Sequence, residues 1–234
     1  MDLPSKQVFD ALLAKGVTEL HHANSVLTAC QFLRNRALLS RGTVERRNLF
    51  QTPQSSDSDD KRFNVWFDVF TDSVDIHSRA GNANVYGPVL FVLDVKELRK
   101  SWTGRLWMTK LNPMKWDKVS DDNRWFRSVQ EIADDFNYGT FDQMIVFRHC
   151  GGELHFRDAL SKIILDDPHT SIKLTEIDLY SMAFGALQLA SSQGGLDVRI
   201  TKRCCDKDCR CLKTYGRDAR RTMDLFAPRL RKSP

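Results

Sequence analysis

No stretch of this chain stays apolar for more than five residues, the longest run being Val89 to Leu93. A membrane-spanning helix needs about 20 apolar residues, so the run length removes that class and confines the chain to short elements. FNVWFDVF and YGPVLFVLDV read as strands, the second opened by a Gly-Pro turn. FDQMIVFRHCGGELHF reads as two strands joined by a turn at Gly151-Gly152, and LDVRITK as a last strand. Other apolar residues recur at helical spacing. Val8, Leu12 and Leu13 do so before Gly16, and Val26, Ala29, Cys30, Leu33 and Ala37 do so after the short strand VTELHH and a capping Asn24. The most regular helix is LTEIDLYSMAFGALQLASSQGG, with Leu179, Met182, Ala183, Ala186, Leu187 and Ala190 on one face and Gly194-Gly195 at its end. Strands and helices mix without regular βαβ spacing, which predicts an α+β domain.

At 234 residues, with 41% hydrophobic and 28% charged side chains, the chain suits one globular domain, or one domain with a short appendage, and excludes wholesale disorder. Asp2, Lys6, Asp10, Lys15 and Glu19 interrupt the first thirty residues, so no secretory signal and a cytoplasmic protein are expected. QTPQSSDSDD reads as an exposed, mobile loop. Between Lys96 and Asn137, four of the five tryptophans mix with many charges, and helices and loops are expected there.

Charge and cysteine are segregated. Residues 202–234 hold 11 Lys and Arg against 4 Asp, whereas residues 1–201 hold 24 cations against 26 carboxylates. Four of the six cysteines, Cys204, Cys205, Cys209 and Cys211, lie in the same basic segment. Their C-C-x3-C-x-C pattern lacks a C-x2-C pair, and adjacent cysteines converge awkwardly on a tetrahedral ion. A zinc knot, reduced thiols and redox regulation all remain open. Lys202, Arg203, Arg210 and Lys213 are candidates for phosphate contact, since clustered cations suffice for that; a solvated tail is the plain alternative.

Three further groups carry candidate chemistry. His21-His22-Ala23-Asn24 stands where a strand passes into a helix, and could grip a sugar or an amide or could simply cap the helix. Asp75, His77 and Arg79 alternate, so an extended segment would present all three on one side, as a phosphate or nucleophile site or as a solvated face. Gln143 opens the apolar run Met144 to Phe147, where a buried amide needs a partner or costs about 1–3 kcal/mol. The phosphate-loop, dinucleotide-fingerprint, nucleophile-elbow and HExxH patterns are all absent from the sequence.

In order, these pieces resemble an ADP-ribosyltransferase fold, most closely the DarT-type toxins that modify nucleic acids. ELHHANSVLTACQFLRNRALLSR resembles the family's first motif, FNVWFDVFTDSVDIHSR its second, and FDQMIVF the strand that opens with its catalytic carboxylate. The resemblance covers roughly residues 18–150. It implies split mixed and antiparallel sheets with flanking helices over residues 1–201, followed by a basic Cys-rich tail over 202–234. It implies NAD as substrate, RNA or DNA as acceptor, and an antitoxin or chaperone partner in a toxin or phage-defence setting. By analogy His22 would hold the nicotinamide ribose, with Ala23 and Asn24 beside it. Arg47 or Arg46 would meet the pyrophosphate or assist the nucleophile. Gln51 and Gln54 would face the acceptor, while Asp75, His77 and Arg79 would support that loop or touch NAD phosphates. Gln143 stands where the family places Glu, and a neutral amide supplies no negative charge to the transition state; Asp142 or Glu153 could supply a carboxylate instead. A non-catalytic zinc and nucleic-acid-binding module is the alternative, and a nuclease built on Asp75, His77 and Arg79 ranks behind it.

Overall fold

A computed structural model of the chain describes residues 2–171, 176, 178–206 and 208–227. The strands are β1 (Leu3–Pro4), β2 (Glu19–Asn24), β3 (Ala37–Leu39), β4 (Val69–Asp72), β5 (Val89–Asp94), β6 (Arg105–Met108), β7 (Met144–Phe147), β8 (Glu153–His155), β9 (Leu160–Leu165) and β10 (Ile200–Lys202). The helices are α1 (Ser5–Ala14), α2 (Val26–Asn35), α3 (Arg41–Arg46), α4 (Asp57–Arg62), α5 (Ile76–Ala80), α6 (Val95–Ser101), α7 (Val129–Asp135), α8 (Leu179–Gln193), α9 (Arg210–Arg217) and α10 (Ala219–Phe226). The architecture is α+β, as the irregular spacing predicts.

Eight strands form one sheet in the order β1-β6-β7-β4-β2-β5-β9-β10, and β3 pairs with β8 apart from it. Among the described residues all ladders are antiparallel except β9–β10. The large sheet is two halves joined at one point. β2 runs six register pairs along β5, and β4 runs four along β7, but β2 and β4 meet only at His21 opposite Asp72. Beyond that pair the two strands part, and the seam between them is where the candidate site lies.

Alternation along the strands divides the core. Phe91 and Leu93 of β5, with Ile145 and Phe147 of β7, pack with Phe9 and Leu12 of α1, Phe32 and Leu33 of α2, and Leu187 of α8. On the other side, Val146 packs with Val65, Trp116 and Trp125, and Leu90 and Val92 pack with Ala23. Three of the four central tryptophans stack through this second side: Trp125 lies 4.9 Å from both Trp107 and Trp116.

Several sequence expectations change in three dimensions. Ser25, not Asn24, caps α2, because Asn24 remains in β2 and its Oδ1 accepts from the Ser25 amide at 3.0 Å. FNVWFDVF is a strand only from Val69, since Asn64 adopts a left-handed φ of 56° and turns the chain. DIHSR is not extended: Asp75 caps α5 by accepting from the His77 amide, so Asp75, His77 and Arg79 share no strand face. β7 and β8 flank the Gly151-Gly152 turn but do not form a hairpin, because β7 pairs with β4 and β6 and β8 pairs with β3. QTPQSSDSDD is not an exposed loop. It ends in α4, Ser56 is buried, and Arg41 fastens it through Asp57. The regular helix runs from Leu179, capped by Asp178; its expected leading residues Leu174, Thr175 and Ile177 lie outside the described residues.

Residues 203–206 and 208–227 pack against the rest of the chain. Cys211, Tyr215, Leu225 and Phe226 are buried in the main core. Among the described residues no helix is long and apolar enough to cross a membrane.

Candidate active site

The seam between β2 and β4 opens into a cleft of about 830 Å³ including its open mouth. Its walls come from four places: His22, Ala23 and Asn24 of β2; Ser40 and Arg41 at the start of α3; Gln54, Ser56, Asp59 and Asp60 around α4; and Phe70 and Asp72 of β4 with Met144 of β7. Tyr86 closes one side. Gly87 makes that possible, because a Cβ there would stand 2.2 Å from the Asn24 backbone; only glycine lets the 84–87 turn lie on the end of β2.

His22 is the most defined group in the cleft. Its Nδ1 lies 2.8 Å from the Phe70 carbonyl oxygen, so Nδ1 carries the proton and donates. Burial, the larger effect, pushes the imidazole below its ordinary pKa, and the ring is therefore neutral at pH 7. That leaves Nε2 as an unprotonated acceptor, buried and without a hydrogen-bond partner among the described residues. Ring packing against Phe32, 5.6 Å away, holds the plane.

Carboxyl groups dominate the rest of the polar lining. Asp72, withdrawn from water, is pushed up to about 7. Asp60 is pushed up to about 6 by burial, and so is Asp68 despite Arg148 at 3.4 Å. Arg41 is the guanidinium of the cleft. It grips Asp57 with two hydrogen bonds of 2.6 and 2.9 Å and donates to the Thr52 carbonyl at 3.0 Å, bracing the wall that carries Gln54. The cleft thus offers one fixed neutral acceptor, carboxyls that titrate near neutral pH, and apolar walls from Leu39, Val65, Val69, Phe70 and Met144.

The structure distributes the sequence candidates unevenly. His22, Ala23, Asn24 and Gln54 line the cleft. Gln143 does not: alternation puts it on the side of β7 opposite Met144, where its Oε1 accepts from the Asn137 amide at 2.7 Å and its Nε2 donates to the Asp135 carbonyl. Arg47 lies away from the cleft, paired with Glu153 and donating to Asn35, so neither Arg47 nor Glu153 reaches the site. Arg46 covers the Phe67 ring. Asp142 sits near the rim with Lys115 at 2.7 Å, behind the lining residues Asn112 and Met114. Gln51 stands behind the wall and donates to the Arg41 carbonyl at 3.5 Å.

The remaining candidates have structural partners. Arg79 donates to the Gly139 carbonyl. Arg203 is buried between Asp75 and Asp166, and Lys202 pairs with Asp167 over the Tyr180 ring. Arg210 and Lys213 are exposed on α9. His77 faces Cys205 and Cys209, whereas Cys204 is exposed.

Two of the solved structures similar to this chain are of one protein. One is Thermus sp. 2.9 DarT in complex with ADP-ribosylated ssDNA, at a TM-score of 0.49 and 12% identity, covering 80% of this chain and 95% of that chain. The other is Thermus sp. 2.9 DarT in complex with NAD+, at a TM-score of 0.45 and 13% identity, covering 80% of this chain and 96% of that chain. No family model and no curated protein matches the chain.

Sequence reasoning missed Arg41, Asp72 and Tyr86. Arg41 is the last residue of ELHHANSVLTACQFLRNRALLSR and Asp72 lies in the middle of FNVWFDVFTDSVDIHSR, so both fall inside segments that carry the resemblance. What the sequence lacked was the parting of β2 from β4, which is what exposes them.

Proposed function

We propose that the chain is an NAD-consuming ADP-ribosyltransferase that modifies a base of RNA or DNA. The observation that carries this reading is the free Nε2 of His22, a buried neutral acceptor beside a cleft at the seam of a split sheet. Such an acceptor holds a hydroxyl, and a ribose hydroxyl of NAD fits that demand. Asp59, Asp60, Asp68 and Asp72 suit the cationic nicotinamide ring of the same molecule.

The reaction breaks the bond between the nicotinamide nitrogen and C1″ of the ribose. Nicotinamide leaves with the electron pair, and charge develops on the sugar. Asp72 takes the catalytic part that a neutral Gln143 cannot fill. Its carboxylate stabilises that charge, and with a pKa near the working pH it accepts the proton released when a base nitrogen attacks C1″. Tyr86 and Met144 exclude water from the sugar.

A nucleic-acid acceptor is favoured by a second groove that shares Gln54 and Tyr86 with the cleft and carries Arg220 and Arg221 of α10 on its far side. Asp218 and Asp224 line the same groove, and exposed Arg210 and Lys213 on α9 add two further cations. An enzyme that consumes NAD and marks nucleic acid harms its host unless restrained, which favours a toxin or phage-defence effector in the cytoplasm with a neutralising protein partner. The test is incubation of the chain with NAD and with RNA and single-stranded DNA separately, followed by mass spectrometry of the recovered nucleic acid. An added ADP-ribose on one acceptor, with matching nicotinamide release, supports the reading; intact NAD and unmodified acceptors in every mixture overturn it.

A further inference from the structure

The cysteines of the basic segment meet a histidine from the middle of the chain. His77 Nε2 lies 3.3 Å from Cys205 Sγ and 3.4 Å from Cys209 Sγ. Cys211 Sγ lies 3.4 Å from Cys205 Sγ and 3.0 Å from Cys209 Sγ. All four atoms fall within 4.8 Å of one another, and none of the cysteines forms a disulfide. We propose that His77, Cys205, Cys209 and Cys211 bind a structural zinc ion that fastens α9 and α10 to α5.

The donor set and its size point to this ion. Zinc takes three thiolates and one imidazole at about 2.3 and 2.0–2.1 Å, which places neighbouring ligand atoms roughly 3.5–3.8 Å apart at the corners of a tetrahedron. The four separations of 3.0–3.4 Å sit just inside that spacing, as expected for side chains converging on one centre. Three thiols and one imidazole nitrogen otherwise have only weak sulfur hydrogen bonds to exchange, a poor return for bringing four polar groups together in a partly buried place. Four protein ligands leave no open position, so the ion holds structure and performs no chemistry.

The frame around the cluster is fixed from both sides. Asp75 caps α5 two residues before His77, and Arg203 joins Asp75 to Asp166 two residues before Cys205. Tyr215 of α9 donates to the other oxygen of Asp166 at 2.6 Å. These contacts seat the ligands before the metal arrives, and they leave Cys204 exposed and outside the set. Zinc then ties the helices carrying Arg220 and Arg221 to the segment that leads into Tyr86, which sets the width of the second groove. This does not rest on the NAD reading; a chain without any transferase activity would carry the same ion.

The test uses the full chain, purified without a polyhistidine tag, with metal content measured by mass spectrometry after gel filtration. The expected result is one zinc per chain, kept in Cys204→Ser and lost in Cys209→Ser and His77→Ala. Cobalt(II) exchanged for zinc gives thiolate charge-transfer and tetrahedral d–d bands. His77→Cys, which restores a fourth ligand, keeps the metal and separates ligation from folding. Thiol titration of the wild type needs no variant: apart from the core-buried Cys30, three cysteines resist reaction and become reactive when a chelator is added. Less than about 0.1 zinc per chain from zinc-supplemented growth, iron with sulfide in its place, a disulfide among these cysteines under reducing conditions, or metal retained by Cys209→Ser overturns the proposal.

Discussion

The Phe70 carbonyl accepts a 2.8 Å hydrogen bond from His22 Nδ1, and this one contact decides which nitrogen of His22 is left without a partner. Because the donor is satisfied on β4, the acceptor on the opposite edge of the ring is left for the cleft. Replacing His22 by Ala removes the acceptor and is expected to lower kcat/KM for nicotinamide release about 10- to 100-fold, the worth of a buried hydrogen bond plus its unpaired partner. The same burial has a pH consequence. An unfolded imidazole titrates near 6.5 and the folded one lower, so on acidification below about 6.5 the unfolded chain takes the proton first and stability falls. Urea unfolding between pH 7.5 and 5 should show a shallower loss in His22→Gln than in the wild type.

Asp72 runs the other way. An unfolded aspartate titrates near 3.9, whereas Asp72 holds its proton up to about 7. Between those values the folded chain carries a proton that the unfolded chain releases, so stability declines as pH rises through that window. Asp72→Asn should therefore exceed the wild type in stability at pH 8 by on the order of 2–4 kcal/mol and match it near pH 4. Nicotinamide release by the wild type should rise with pH through about 7, and the Asn variant should lose that dependence together with most of its rate.

Gln143 is expected to be dispensable for the reaction. Its amide joins the end of α7 to the start of β7 through Asn137 and Asp135. Gln143→Ala should cost about 1–2 kcal/mol of stability and leave kcat/KM within about threefold. A loss as large as that of His22→Ala would place the amide in the reaction after all.

Arg203 is the cation of the tail whose loss should unfold the chain. Removing one partner of a buried ion pair leaves carboxylates uncompensated, so Arg203→Leu is expected to cost about 3–5 kcal/mol. Exposed cations behave differently. Arg220→Ala should lower the slope of log affinity for nucleic acid against log salt by about 1 and leave nicotinamide release without acceptor unchanged. Thermal melts and salt titrations separate the two classes.

How much was legible follows from the range of the interactions. Helices α1, α2 and α8 and the buried strand β5 are written locally, in apolar spacing and in Gly16, Gly87 and Gly194, and they emerge close to expectation. The place of His22 on the cleft wall was legible because the strand-to-helix passage that puts it there is local too. Gln143 misled because a polar residue at a strand mouth looks the same whether its partner is a ligand or the backbone of Asn137. DIHSR fits an alternating strand equally well until Asp75 caps a helix. The seam between β2 and β4, the pairing of β8 with β3, and the meeting of His77 with cysteines 128 or more residues away depend on contacts that no local pattern encodes.

The most direct measurement compares nicotinamide release from NAD by the wild type, His22→Ala and Gln143→Ala, all shown to be folded by near-ultraviolet circular dichroism. The account predicts steady release by the wild type, release within about threefold of it for Gln143→Ala, and a fall of about 10- to 100-fold for His22→Ala. Release by His22→Ala equal to that of the wild type, or none from any of the three, would contradict it.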